Sequence, residues 1–191
     1  MKTSRALIGS AAIAALMATA ACGSRADEEP PAPAPTEEAG EDTATEEDTA
    51  SAPATEPEVE PNGTVIEIQM LTRDPDGSGL QVFKPDLIRA QVGDTIRFVP
   101  TDPTHQSSSI EGMVPDGARG WEGEINEAVE YVVPLPGVYG YQCVPHYAAG
   151  MVGLIIVEGD GQDSNVEAAK AVSHPGNAGR KFEAIFEEAG L

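Results

Sequence analysis

The sequence is poor in cysteine, histidine and basic residues. Its 191 residues include 2 cysteines, 3 histidines and 11 lysines and arginines, against 32 aspartates and glutamates. Two cysteines provide no disulfide framework. The formal net charge of −21 disfavours nucleic-acid binding, because phosphate backbones are bound through lysine and arginine. The length suits one modest globular domain with appendages.

Long apolar runs are also missing. The run from Ala6 to Met17 is shorter than the roughly 20 residues that a membrane-spanning helix needs. It follows basic residues and ends in small ones, so residues 1–22 are predicted to be a bacterial export signal. The end of this signal resembles a lipoprotein box, in which Cys22 is acylated; cleavage after residues 18–20 is the alternative. We therefore expect a periplasmic protein, tethered to a membrane if Cys22 is acylated.

Residues 23–61 are predicted to be a disordered linker. From residue 24 to residue 61 the chain consists mainly of Glu, Asp, Ala, Pro and Thr, with 13 acidic residues and one basic residue. Such a segment cannot bury a core, and like charges and proline extend it. The linker is interpreted as a tether for the folded part, or alternatively as a solubilising tail.

Residues 62–160 have the pattern of a β-sandwich. Apolar and polar residues alternate over short segments that are separated by turn residues, which is typical of half-buried strands. The segment Thr64–Met70, for example, places Ile66, Ile68 and Met70 on one face. The other predicted strands are 87–90, 95–99, 128–133, 138–143 and 152–158.

Residues 161–191 are predicted to form two helices that pack on the sandwich. Ser164 and Glu167 have the spacing of a capping box, and the first helix is expected to end near Ser173. The second helix carries an apolar stripe, formed by Phe182, Ile185, Phe186 and Ala189. His174, between the helices, is interpreted as a surface or capping histidine and not as a metal ligand.

A short loop combines a thiolate, an imidazole and a thioether. Cys143, His146 and Met151 follow one another as Cys-x2-His-x4-Met between two predicted strands, and His105 lies far upstream. A set of two histidines, one cysteine and a weak axial methionine is that of a blue-copper electron-transfer site. The metal ligands are therefore predicted to be His105, Cys143, His146 and Met151, with one type 1 copper per chain.

The same residues resemble a known family. Thr104-His105, the segment 110–118, Pro136-Gly137-Val138-Tyr139 and the ligand loop are similar to those of pseudoazurins, which are small cupredoxins. The resemblance covers nearly all of residues 62–191 and implies a mostly β, cupredoxin-like Greek-key sandwich with two C-terminal α-helices. It also assigns copper to the four residues named above. An acylated cysteine followed by an acidic spacer is similar to the lipid-modified azurins.

Two positions depart from the family pattern. Pseudoazurins usually have Asn after the first histidine ligand and Thr after the cysteine, and these two side chains join the ligand loops by a hydrogen bond. This chain has Gln106 and Val144 there, and valine cannot make that bond. Contacts of this kind orient ligands and tune a metal.

The resemblance implies an electron carrier and not an enzyme, and we expect the protein to be a monomer. Pseudoazurins serve redox proteins, so nitrite reductase and c-type cytochromes are the candidate partners. A copper nitrite reductase needs a second, histidine-rich copper site, and 3 histidines are too few for both sites. Copper storage or delivery is the alternative, although such proteins favour exposed sites rich in Met or His.

The charge of the folded part bears on the choice of partner. Residues 62–191 carry 8 basic and 19 acidic residues, so the lysine ring that pseudoazurins place around their docking patch is mostly absent. We expect a partner with a basic or largely apolar docking face. The resemblance places an exposed edge of His146 in an apolar patch, with Pro145, Ala148 and Met113 as neighbours. Trp121 is either a docking contact or a packed loop aromatic.

Overall fold

The computed structural model describes residues 56–77 and 79–191. The predicted export signal at 1–22, including Cys22, and the linker up to residue 55 lie outside the described residues. Among those described, no helix is long and apolar enough to span a membrane.

Two four-stranded sheets form the described domain. The first has the strand order β2-β1-β4-β6 and the second the order β3-β8-β7-β5. Strands β1 and β4 pair in parallel, as do β3 and β8, and the other pairs are antiparallel. The strands are β1 Val65–Arg73, β2 Leu80–Lys84, β3 Leu87–Gln91, β4 Thr95–Pro100, β5 Ser108–Ser109, β6 Val129–Val132, β7 Gly137–Gln142 and β8 Val152–Glu158. The predicted sandwich is confirmed.

Strand β8 explains how the domain has two apolar layers. Its residues Ile155 and Val157 belong to the core between the sheets, whereas Leu154 and Ile156 belong to a second cluster beneath the helices. Because successive side chains of a strand point to opposite faces, a strand that is covered on both faces needs an apolar residue at nearly every position. The run Val-Gly-Leu-Ile-Ile-Val in β8 meets this need.

The two helices are α1, Val166–Ala171, and α2, Ala178–Ala189. The predicted stripe of α2 is confirmed, since Phe182, Ile185, Phe186 and Ala189 are all buried against the second sheet.

The predicted capping box of α1 is wrong. The N-cap residue is Asn165, and no side chain caps the helix. Asn165 instead donates to the Val138 carbonyl at 2.8 Å and accepts from the Val138 amide at 2.9 Å. Its amide group therefore ties the start of the helix to β7, and the helix ends at Ala171, two residues earlier than predicted.

Glu56 lies within the predicted linker but contacts the folded domain. Its carboxylate accepts hydrogen bonds from the Tyr131 hydroxyl and from the backbone and guanidinium N–H groups of Arg119. Burial alone raises the pKa of Glu56, but these hydrogen bonds outweigh it and hold the pKa below its ordinary value. The chain is thus attached to the domain six residues before the predicted domain boundary.

Candidate metal centre

The ligand turn, Val144–Ala149, is a single stretch of 3-10 helix that begins after Cys143. The His146 amide donates to the Cys143 carbonyl at 3.0 Å, as the i to i+3 bonding of such a helix requires. Residues three apart point to the same side when there are three residues per turn. The Cys-x2-His spacing therefore brings the Cys143 sulfur and the His146 ring together.

Met151 returns to the same place because the chain reverses at Gly150. Gly150 has a φ of 100°, in the left-handed region that glycine adopts without strain. The Cys143 amide then donates to the Met151 carbonyl at 3.0 Å, and the Met151 amide donates to the His146 carbonyl at 3.2 Å. Met151 directly precedes β8 and is completely buried.

His105 approaches from the opposite loop, which leads into β5. Its carbonyl accepts from the Asn126 amide at 2.8 Å, while the Asn126 side chain accepts from the Thr104 amide at 2.6 Å. The His105 Nε2 atom lies 3.2 Å from the Thr72 hydroxyl oxygen at the end of β1. This contact leaves Nδ1 free to face the cysteine, because the Nε2–H group can donate to the hydroxyl.

The three strong ligand atoms form a cluster of the size that copper requires. Cys143 Sγ lies 3.8 Å from His105 Nδ1 and 3.3 Å from His146 Nδ1, and all three atoms lie within 4.8 Å of one another. With metal–sulfur and metal–nitrogen bonds of about 2.3 and 2.0 Å, a trigonal or tetrahedral site separates sulfur from nitrogen by about 3.5–3.7 Å. The residues therefore fit a copper ion.

Burial shifts the pKa values of two predicted ligands in opposite directions. It raises the pKa of the Cys143 thiol, although backbone N–H groups of Gln106 and His146 that face the sulfur oppose the shift. Burial, together with repulsion from His146, lowers the pKa of His105, with Asp102 opposing. His105 is thus a neutral imidazole at neutral pH, whereas metal binding must displace a proton from the thiol.

Comparisons with known proteins agree with this geometry. A family model described as copper binding proteins of the plastocyanin/azurin family matches residues 68–158. Pseudoazurin of Paracoccus pantotrophus is 41% identical over 118 residues, which cover 62% of this chain and 79% of that protein. The chain belongs to the pseudoazurin family.

Solved structures of the family are also similar. A pseudoazurin from Sinorhizobium has a TM-score of 0.62 and 40% sequence identity, and the match covers 66% of this chain and 96% of that one. Pseudoazurin from Methylobacterium extorquens AM1 has a TM-score of 0.61 and 38% identity, with coverage of 65% and 98%. Membership of this family makes copper the cofactor and implies a blue copper electron-transfer protein.

The two departures from the family pattern leave the ligand loops joined in another way. Gln106 donates to the Ser108 hydroxyl at 3.2 Å, and the Val144 side chain is 53% exposed. No side-chain bond joins these two positions, as expected. The loops are connected instead where β5 pairs with β7, with Ser108 opposite Gln142.

The surroundings of the site confirm some predicted neighbours and correct one. Pro145 and Ala148 are exposed, and His146 is half-buried beside them. Met113 is completely buried beneath the helices, so its place in the surface patch was wrong. Trp121 is a packed aromatic, because it is 8% exposed and stacks on Phe98 with ring centroids 5.1 Å apart.

Sequence reasoning missed three contacts that support the site. Thr72 bonds to His105, and the buried Ser107 hydroxyl accepts from the Trp121 indole N–H at 3.0 Å. His174, predicted to be a surface or capping histidine, is half-buried, and its Nδ1 atom lies 2.6 Å from the Tyr147 hydroxyl. These partners are far apart in the sequence, so no local spacing marks them.

Proposed function

We propose that this chain is a type 1 blue copper protein that shuttles single electrons between periplasmic or membrane redox proteins and catalyses no reaction itself. The proposal rests on the closeness of Cys143 Sγ to two imidazole nitrogens, 3.8 Å from His105 Nδ1 and 3.3 Å from His146 Nδ1. The ligands of this proposed site are His105, Cys143, His146 and Met151. Bound copper supplies a one-electron couple between Cu(II) and Cu(I).

The burial of the ligands supports a carrier over copper storage or delivery. His105, Cys143 and Met151 are completely buried, so they are shielded from exchange with other metal-binding proteins. His146 is half-buried next to exposed residues of the ligand turn, so its ring edge is the route by which an electron enters and leaves. A rigid, buried set of mixed soft and imidazole ligands suits both oxidation states.

Voltammetry of the copper-loaded protein tests this proposal. A carrier gives a reversible one-electron wave and retains its copper through repeated cycles in the presence of a Cu(I) chelator. Rapid loss of Cu(I) to the chelator contradicts the carrier function and favours delivery. Cys143→Ser serves as the control, since it removes the thiolate while keeping the volume of the side chain similar.

We also propose that the redox partner presents a basic docking face, with a nitrite reductase or a c-type cytochrome as candidates. The segment 122–127 runs beside the loop that carries His105, which we call the first ligand loop. The Gly123 amide donates to the Ser107 carbonyl at 3.0 Å, and the Asn126 amide donates to the His105 carbonyl. It contains the exposed residues Glu122, Glu124 and Glu127 and no basic residue.

The basic side chains of the described domain are largely neutralised. Ion pairs with carboxylates engage Lys84, Arg89, Arg97, Arg119, Lys170 and Lys181. The described ion pairs include none of the three glutamates of segment 122–127. The surface beside the ligand loop therefore attracts positive charge, and attraction of this kind governs steering and partner choice.

The salt dependence of electron transfer tests the charge of the partner. The rate with a basic c-type cytochrome is expected to fall as ionic strength rises, because salt screens attraction between exposed charges. Replacing Glu122, Glu124 and Glu127 by glutamine is expected to flatten that dependence, whereas the same change at Glu183, Glu187 and Glu188 on α2 is the control. A rate that rises with salt refutes the proposal.

We further propose a periplasmic location with an acyl anchor on Cys22, and that the protein is a monomer. Intact mass spectrometry of the protein from membranes is expected to show acyl chains on Cys22, and Cys22→Ser is expected to release the protein into the soluble fraction. A wild-type N-terminus without lipid contradicts the anchor. Size-exclusion chromatography with light scattering checks the monomer.

A further inference from the structure

The segment between the helices lies directly against the ligand turn. The Asn177 amide donates to the Ala148 carbonyl at 2.8 Å. A Cβ atom added at Gly176 would lie 2.3 Å from the Ala148 oxygen, so only glycine permits this approach. The backbone that leads into α2 therefore packs on the turn that carries His146.

A side-chain pair continues this contact. Tyr147 follows His146 directly, and its hydroxyl oxygen lies 2.6 Å from His174 Nδ1. The hydroxyl donates when the imidazole proton is on Nε2. The His174 ring in turn packs on the ring of Phe182 with centroids 4.4 Å apart and planes 32° apart, and Phe182 is only 2% exposed. His174 is thereby fixed to the core of α2.

In the ligand turn, the contact between Tyr147 and His174 is the hydrogen bond that joins a side chain to another part of the fold. The turn reads Val-Pro-His-Tyr-Ala-Ala, so its other side chains, apart from His146, have no hydrogen-bonding group. In a helix with three residues per turn, neighbouring side chains point about 120° apart. The contact with His174 holds the Tyr147 ring on the side of the turn that faces α2. The neighbouring His146 ring is therefore directed towards Cys143.

We propose that Tyr147 and His174 form a positioning pair that aims His146 at the Cys143 sulfur. The effect on copper rests on the proposed function, whereas the effect on the ligand turn does not. The pair connects the helical layer to the ligand that is nearest the surface, so the orientation of that ligand depends on α2 as well as on the two sheets.

The first test uses the metal-free protein. Tyr147→Phe removes the hydroxyl and keeps the ring, and Tyr139→Phe is the matched control, because the Tyr139 hydroxyl donates to the Leu135 carbonyl at 2.8 Å. Hydrogen exchange of the Asn177 amide is expected to accelerate by roughly 5- to 10-fold in Tyr147→Phe, which corresponds to one net hydrogen bond. The NMR signals of the His146 ring are expected to shift in that variant and to remain unchanged in the control.

Variants at His174 show whether the changes arise from the Tyr147–His174 contact or from a general loss of packing. His174→Ala is expected to reproduce the changes of Tyr147→Phe, and the double variant is expected to add little to either one. His174→Asn restores an acceptor and is expected to recover most of the wild-type behaviour. Unchanged exchange and unchanged His146 signals in Tyr147→Phe overturn the proposal, as do fully additive effects in the double variant.

The copper-loaded protein provides the second readout. The reduction potential and the thiolate-to-Cu(II) absorption band are expected to change in Tyr147→Phe and His174→Ala but not in Tyr139→Phe. A potential that stays constant while the metal-free signals change reduces the pair to a structural contact and overturns its positioning role. If wild-type protein lacks the absorption band, the proposed function fails, and the metal-free measurements still decide the proposal.

Discussion

The hydrogen bond between Ser107 and Trp121 offers a quantitative test of how the first ligand loop is supported. Ser107 follows His105 by two residues and is completely buried, and its hydroxyl oxygen accepts from the Trp121 indole N–H at 3.0 Å. Trp121 itself is stacked on Phe98, with ring planes 25° apart. The indole therefore has little freedom to turn towards water when its acceptor is removed.

Replacement of Ser107 by alanine leaves that indole N–H buried without a partner. An unsatisfied buried donor costs about 1–3 kcal/mol, and the side chain lost is small, so we expect the free energy of unfolding to fall by about 2 kcal/mol. A small protein unfolds in urea with a slope of about 2 kcal/mol per molar, so the urea midpoint should fall by about 1 M.

The assay is urea unfolding of the metal-free protein, since bound copper adds a binding contribution of its own. Ser164→Ala is the matched control, because Ser164 is exposed and caps no helix, and we expect a change within about 0.5 kcal/mol. In a Trp121→Phe background, which has no indole donor, Ser107→Ala should cost much less. An equal cost in both backgrounds, or no cost in the wild-type background, refutes the reasoning.

Three further predictions concern packing, pH and the metal. Gly140→Ala places a Cβ 2.5 Å from Met113 Cε and should lower the free energy of unfolding by about 1–3 kcal/mol, measured by thermal or urea unfolding. Gly179→Ala on α2, with no neighbour closer than 4.0 Å, should raise it by about 0.5 kcal/mol or more. Equal effects of the two changes contradict the packing. Because the folded-state pKa of Glu56 is lowered, its carboxylate should stabilise the wild type fully above its ordinary pKa of 4.5 and progressively less as the pH falls through the folded value. In Glu56→Gln, the urea midpoint should depend less on pH over that acidic range. Thr72→Val removes the oxygen that faces the first histidine ligand and should weaken copper binding about 10-fold or more in a competition titration, and wild-type affinity in that variant rules the contact out as a support.

The strands that could be predicted from the sequence are those with a regular apolar period. Strand β1 alternates over several residues, and β8 is continuously apolar because both of its faces are covered. Strand β5 has only two residues, Ser108–Ser109, so it has no period and exists through its pairing with β7. Strand β2 contains Gln81 with a φ of 56°, which interrupts a regular strand pattern.

The same distinction holds for the candidate metal centre. Cys143, His146 and Met151 lie within nine residues, so their spacing alone predicts a shared ligand turn. The capping spacing of Ser164 predicted the wrong N-cap residue. Asn165 takes that position, and its side chain bonds to β7 instead of capping the helix. The position of His174 depends on the packing of α2 against the ligand turn, and a contact across 27 residues leaves no local pattern.

The most direct test of the central claim is the visible absorption and EPR of the protein after addition of Cu(II), with Cys143→Ala as the control. We expect an intense thiolate-to-Cu(II) charge-transfer band and a narrow copper hyperfine splitting, both lost in the variant, because Cys143 Sγ lies between the two imidazole nitrogens. A weak absorption and an ordinary Cu(II) spectrum, identical in the wild type and the variant, contradict a blue copper site.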